Sequence, residues 1–167
     1  MTSPDRAESP VARAAFDWVT GLLDAGGFPW VVVGGLAARA YGSPRALADV
    51  DLDVPAAALA YVAQRAPGRI TFGPARFVDA EFDIELLTLQ WGDQSIDLAA
   101  AEDIRLFDRR RGQWSTVPTD LGAVESRFVL GRSAPVMARS RLIAYKQIID
   151  RSVDRFDVRA LLEAPVR

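Results

Sequence analysis

The sequence predicts an α+β domain: a small, twisted, mixed β-sheet flanked by helices and followed by a C-terminal helical pair. Three observations carry that prediction. A β-branched run, Trp30-Val31-Val32-Val33, passes directly into Gly34-Gly35 and an Ala-rich stretch. Asp49-Val50-Asp51-Leu52-Asp53-Val54 alternates strictly, and residues 82–99 read as a hairpin around Trp91-Gly92-Asp93-Gln94. Apolar residues at helical spacing frame these strands at both ends of the chain.

Taken in order, residues 1–9 are polar, hold Pro4 and read as a loose arm ending at a helix start. Val11, Ala15, Trp18 and Leu22 then recur at helical spacing, and Gly26-Gly27 stops the segment, which predicts an amphipathic cover helix. Residues 30–33 have the look of a buried strand. Leu36 to Tyr41 is helical in propensity and ends at Gly42-Ser43-Pro44. Pro55 closes the acidic strand, and residues 56–66 form a helix with Leu59, Val62 and Ala63 on its apolar face. Ile70-Thr71-Phe72 reads as a strand, and the hairpin of residues 82–89 and 95–99 follows.

From Ala100 the texture changes. Residues 102–111 are charged and read as partly helical, while residues 113–133 have no clear period. Pro135-Val136-Met137-Ala138 leads to Ser140, an N-cap for a helix from Arg141 with Leu142, Tyr145 and Ile149 on its core face. A last helix, residues 153–162, carries Phe156, Ala160 and Leu161. The chain reads as one domain over residues 1–167, with a core at 28–100 and a basic, helical C-terminal region at 101–167.

Composition narrows the chemistry. The 167 residues include no cysteine and no histidine, which removes disulfides, the usual zinc sites, thiol nucleophiles and Ser-His-Asp triads. Catalysis is left to carboxylates, Arg, Lys, Ser, Tyr and a metal. No stretch approaches the roughly 18 apolar residues of a membrane span, and the N-terminus lacks a signal-peptide core, so a cytoplasmic protein with no membrane partner is expected. Residues 1–104 hold 7 Arg against 15 acidic residues, and residues 105–167 hold 13 basic against 7 acidic ones, balances of −8 and +6. An acidic half suited to metal thus faces a basic half suited to phosphate, unless the unevenness is only solvated surface.

The acidic strand is the centre of the functional argument. A period of two puts Asp49, Asp51 and Asp53 on one face and Val50, Leu52 and Val54 on the other. Like charges this close raise one another's pKa and weaken the fold unless a cation joins them, and magnesium is the hard ion that takes carboxylate oxygens together with substrate phosphates. The plainer reading is an exposed strand with an acidic solvent face. Against it stands the order of features: strand, Gly34-Gly35, helix, thirteen residues, Asp49-x-Asp51, then Asp97 on the polar face of a later apolar strand. A glycine pair lets backbone approach a phosphate, and three carboxylates beside it suit two-metal phosphoryl or nucleotidyl transfer. Asp83 is a rival third carboxylate, and Asp51-x-Asp53 a rival frame.

The pattern Gly-Gly-x13-Asp-x-Asp with a later lone Asp resembles the DNA polymerase β-like nucleotidyltransferase superfamily. Within it, residues 33–37 through Arg45-x3-Asp49-Val50-Asp51-Leu52 look most like small AbiEii/MenT-type toxins and lincosamide-type antibiotic nucleotidyltransferases. The tail, Ser-Arg-Leu-Ile-Ala-Tyr-Lys146-x4-Arg151-x2-Asp154-x2-Asp157, is similar to a helical segment of those proteins in which a Lys lies near the nucleotide phosphates. Gly35 stands where many members have Ser, Leu47 where the toxins have Thr, and Val153 where the tail commonly has Lys.

The resemblance spans residues 30–54, 95–99 and 134–162, and implies a polymerase β-like fold and transfer of an NMP from an NTP to an acceptor. It implies that Gly34 and Gly35 cradle the triphosphate, that Asp49 and Asp51 bridge two Mg2+ ions, and that Asp97 holds the catalytic metal and helps deprotonate the acceptor hydroxyl. It also brings Lys146, the only lysine beside 19 arginines, to a phosphate, with Arg45 assisting in charge neutralisation or pairing structurally with the aspartates. Arg151 and Asp154 are expected to pair across a helix turn. The basic half, Arg109-Arg110-Arg111 above all, suggests RNA, a tRNA 3′ end, as acceptor for a toxin with a cognate antitoxin. An antibiotic or other small molecule is the alternative acceptor, and a non-catalytic, antitoxin-like binding partner is the alternative class.

Overall fold

The computed structural model describes residues 9–165, so residues 1–8 of the expected loose arm lie outside the described residues. In chain order the elements are α1 (Pro10–Ala25), β1 (Val31–Val32), α2 (Gly34–Ala40), β2 (Asp49–Val54), α3 (Ala56–Arg65), β3 (Ile70–Val78), β4 (Phe82–Trp91), β5 (Gln94–Ala100), β6 (Arg105–Asp108), β7 (Gln113–Thr116), β8 (Val124–Val129), β9 (Arg132–Met137), α4 (Arg139–Ile149) and α5 (Ser152–Glu163). The fold class is α+β, as expected. The sheet is larger than expected: nine strands in the order β7-β6-β4-β5-β2-β1-β9-β8, with β3 paired to the outer side of β4.

α1 begins where Ser9 Oγ accepts from Ala12 N and Pro10 occupies the first turn. Its buried stripe is Ala12, Ala15, Phe16, Val19 and Leu23, one step round the helix from the expected Val11, Ala15, Trp18 and Leu22. Trp18 is instead half-buried, its ring centroid 5.0 Å from that of Trp91 on the β4–β5 hairpin. An aromatic ring can cover a sheet edge from the margin of an apolar stripe, and periodicity does not separate margin from centre.

The central strands position the site. β2 pairs antiparallel with β1 and parallel with β5, in a register that sets Asp51 opposite Asp97 and Val50 opposite Ile96. On one face Val50, Leu52, Val54, Ile96 and Leu98 are buried in a core with α1 and α3. On the other face the carboxylates sit beside a second apolar cluster of Ile84, Leu86, Leu106 and Ile149, with Tyr145 packed against it. α4 and α5 therefore stand over the acidic face, and α1 and α3 over the apolar one.

Residues 105–137 correct the expectation of a helical C-terminal region. Residues 102–111 hold β6 rather than helix, and residues 113–133 hold β7, β8 and the start of β9. β6 and β7 have four residues each, too few to display a period. In β8 the half-buried positions are Glu125 and Arg127, which pair with each other at 2.6 Å, so its alternation is polar. α4 starts at Arg139 with Ala138 at its N-cap, not at Ser140. α5 buries Asp154, Asp157 and Leu161, while Phe156 is 47% exposed. No helix among the described residues is long and apolar enough to cross a membrane.

Candidate active site

β1 runs into α2 without a loop, because Val33 N donates to Asp51 O and Gly34 then takes φ +62°. That dihedral is one reason for glycine; the other is space. A Cβ on Gly34 would lie 2.5 Å from Asp51 Oδ2, and one on Gly35 would lie 2.7 Å from an Arg45 guanidinium nitrogen. The glycine turn is thus in van der Waals contact with an acidic strand on one side and a cation on the other. The first backbone N–H groups of α2 have no acceptor within the helix, and no side chain among the described residues caps them.

The turn and the acidic face bound one pocket of about 480 Å³. On its floor Asp49, Asp51 and Asp97 bring carboxylate oxygens within 4.8 Å of one another. Burial, followed by the charges of Asp97, Asp49 and Asp53, pushes the Asp51 carboxyl up to about 7. Burial also raises Asp97, partly offset by Thr88, whose Oγ1 donates to Asp97 Oδ1 at 2.7 Å. Thr88 faces Asp97 because β4 and β5 pair in that register.

Asp53 shares the face but not the cluster. It is 3% exposed, accepts from Thr119 Oγ1, and is pushed up to about 7 mainly by burial. Asp83, the rival third carboxylate, lies away from the cluster and pairs with Arg76 at 2.5 Å and Arg105 at 2.7 Å, which hold it below its usual range.

The cations lie at the α4–α5 end of the pocket. Lys146 is 2% exposed, with Nζ 2.9 Å from Asp157 and 3.4 Å from Asp154. Arg45 grips Asp157 through two nitrogens, at 3.1 and 2.7 Å, so its acidic partner is on α5 and not on the metal-type strand. Arg151 pairs with Asp154 at 2.7 Å, as expected across the turn, and its guanidinium lies 5.2 Å from the Phe82 ring.

Sequence reasoning assigned no role to Thr88, Asp157, Ser43 or the apolar wall of Phe77, Phe82, Ile84 and Leu86, all but Ser43 and Asp157 lining the pocket directly. The signal for Asp157 was present: one lysine set beside the apolar face of α4, with two carboxylates three residues apart on the following helix.

The three carboxylates suit a divalent cation. Their oxygens converge, Asp97 has a hydroxyl for a neighbour, and no arginine or lysine pairs with any of them among the described residues. Hard oxygen donors at this spacing are the set that Mg2+ takes, with phosphate oxygens and water completing the shell.

No family model matches the chain, and no curated protein matches it in sequence. Solved structures do match its fold. TM1012 of Thermotoga maritima, described as a candidate nucleotidyltransferase, is 20% identical over 79% of this chain and 81% of its own, with a TM-score of 0.61. The lincosamide antibiotic adenylyltransferase LnuA, solved with lincomycin bound, is 13% identical over 93% of this chain and 99% of its own, with a TM-score of 0.59. ANT(2″)-Ia, solved with adenylyl-2″-tobramycin, is 14% identical over 89% of this chain and 86% of its own, with a TM-score of 0.57. The chain has the fold these proteins share.

Proposed function

We propose that the chain is a metal-dependent nucleotidyltransferase that moves a nucleoside monophosphate from an NTP to an acceptor hydroxyl and releases pyrophosphate. The observation that carries this reading is the convergence of Asp49, Asp51 and Asp97 across one pocket from the Gly34-Gly35 turn. In this reading the carboxylates hold two Mg2+ ions, which supply charge neutralisation of the phosphates and activation of the acceptor oxygen. Asp49, Asp51 and Asp97 would hold the metal, and Asp97, steadied by Thr88, would also help take the proton of the acceptor hydroxyl. The backbone at Gly34 and Gly35 receives the triphosphate, with Arg45 as the cation beside it.

A small hydroxyl-bearing molecule is the acceptor we favour. The pocket wall formed by Phe77, Phe82, Ile84 and Leu86 offers apolar surface to a compact acceptor or base. The basic half that suggested RNA is largely occupied within the molecule. Arg105 pairs with Asp83, Arg109 with Glu81, Arg111 with Asp108 and Arg132 with Asp17. Fewer free cations weaken the electrostatic term on which a polyanion depends. LnuA and ANT(2″)-Ia, two proteins of this fold, were solved with an antibiotic or an adenylylated antibiotic.

The test is incubation with each α-labelled NTP and Mg2+, with separate acceptor pools of lincosamides, aminoglycosides and total RNA, following label transfer and pyrophosphate. Label on a small molecule, lost in Asp51→Ala, supports the proposal. Label on RNA replaces the acceptor with the toxin-type reading and its antitoxin. No pyrophosphate from any NTP and acceptor returns the chain to the non-catalytic class.

A further inference from the structure

Lys146 and Arg45 both stand at the phosphate end of the pocket, and their surroundings assign them different work. The Lys146 ammonium is buried between Asp154 and Asp157, side chains that are 1% and 0% exposed. Two of its three N–H donors are engaged, and moving it to a ligand would leave two carboxylates without their shared cation. The Arg45 side chain is 25% exposed. Asp157 takes its Nε and one edge of Nη2, which leaves the remaining N–H donors of the fork unclaimed among the described residues. That same Nη2 is the atom a Cβ on Gly35 would strike at 2.7 Å, so the free edge of the guanidinium lies against the glycine turn.

Asp157 is itself fixed from a third side, since Ser43 Oγ donates to its Oδ1 at 2.7 Å. Burial disfavours its charge, but hydrogen bonds from Arg45, Lys146 and Ser43 outweigh this and hold it below its usual range. Arg45, Lys146 and Arg151 against Asp154 and Asp157 make three cations to two anions. One positive charge is left over, beside the turn.

We propose, resting on the nucleotidyltransferase reading, that Asp157 is a positioning residue that holds the Arg45 guanidinium at the Gly34-Gly35 turn to receive the triphosphate, while Lys146 is its buried counter-ion and not a phosphate ligand. A flexible arginine fixed by a two-point grip meets an anion without losing side-chain freedom at that moment. The cation closest to the phosphates is therefore set by a residue of α5, more than a hundred positions along the chain.

The experiment is calorimetric titration with inorganic tripolyphosphate and Mg2+, a probe that carries no base, on variants whose folding is checked by circular dichroism. Arg45→Gln is expected to weaken binding about tenfold or more, the size of a lost charge-assisted contact. Asp157→Asn is expected to weaken it comparably, and the double variant no further than Arg45→Gln alone. Lys146→Gln is expected to weaken binding less than Arg45→Gln does, and no further in the Arg45→Gln background, since the ammonium acts only through Asp157. Ser43→Ala serves if Asp157→Asn does not fold: a partial loss is expected in the wild-type background and none in Arg45→Gln. Additive losses at Arg45 and Asp157, or a loss at Lys146 equal to that at Arg45, would overturn the assignment. A wild-type protein that neither binds tripolyphosphate nor releases pyrophosphate from any NTP fails at the level of the proposed function, and this inference fails with it.

Discussion

Asp51 is the residue on which the most depends, and its titration makes a signed prediction. Its folded pKa, about 7 without metal, lies above the ordinary carboxylate value. The folded state therefore binds the proton more tightly, and the associated stability is fully present below about pH 4 and lost as pH rises through about 7. In EDTA, Asp51→Asn is expected to gain stability relative to wild type between pH 5 and pH 8, measured by urea melts at both values, while losing nucleotidyl transfer altogether. A wild-type-minus-variant difference that does not change with pH would contradict the burial and crowding of this carboxylate. Gly34 makes a second prediction at this scale. Gly34→Ala places a side chain at φ +62° and against Asp51, and is expected to cost about 1–2 kcal/mol from the backbone alone. Mg2+ affinity is expected to fall with it, because the clashing atom is a metal-type oxygen; titration calorimetry reads the second effect separately from the melt.

Among the elements, α5 departs most from its sequence pattern. Its apolar residues are Val153, Phe156, Val158, Ala160, Leu161 and Leu162, yet the buried positions are Asp154, Asp157 and Leu161. The helix is held down by ion pairs on its inner face and a single leucine. Leu161→Ala is expected to cost about 2–5 kcal/mol as a core truncation, while Phe156→Ser is expected to stay within about 0.5 kcal/mol. Thermal or urea melts of the two variants separate the structure from the hydrophobic pattern, which ranks them as equals. β2 is the opposite case. Its alternation was legible in six letters because both faces carry strong and different chemistry, apolar against α1 and α3 and acidic against the pocket. β6, β7 and β8 were not legible, since β6 and β7 have only four residues each and the half-buried positions of β8 are polar.

At the scale of the whole molecule, the division into an acidic and a basic half becomes an internal match. Arginines of β6, the β6–β7 turn and β9 return to carboxylates of β4, the residues before it and α1. Among the described residues the clustered carboxylates Asp49, Asp51 and Asp97 pair with no arginine or lysine. Mg2+ is therefore expected to stabilise the entire fold by binding only the folded state, by about 2.7 kcal/mol at a concentration one hundred times its dissociation constant. The rise in thermal midpoint is expected at pH 8, to shrink at pH 5 where protons compete for Asp51, and to vanish in Asp51→Asn. A pH-independent rise, or one retained by the variant, would place the ion elsewhere.

The sequence by itself determined the α+β class, the glycine turn, the Asp49-x-Asp51 strand and the absence of thiol and imidazole chemistry. These are local facts: a period of two, a positive-φ turn and a composition are written in adjacent residues. The lone Asp97 on its apolar strand was also legible in the sequence as the third carboxylate; tertiary structure alone decided what surrounds the lone lysine and which acid Arg45 pairs with. The parallel register of β2 and β5 sets Asp97, rather than Asp83, opposite Asp51. The return of α5 over α4 closes Lys146 between two aspartates and leaves Arg45 facing the turn. Charges can be counted along a chain, but their partners are chosen by distance, and only the folded backbone supplies the distances.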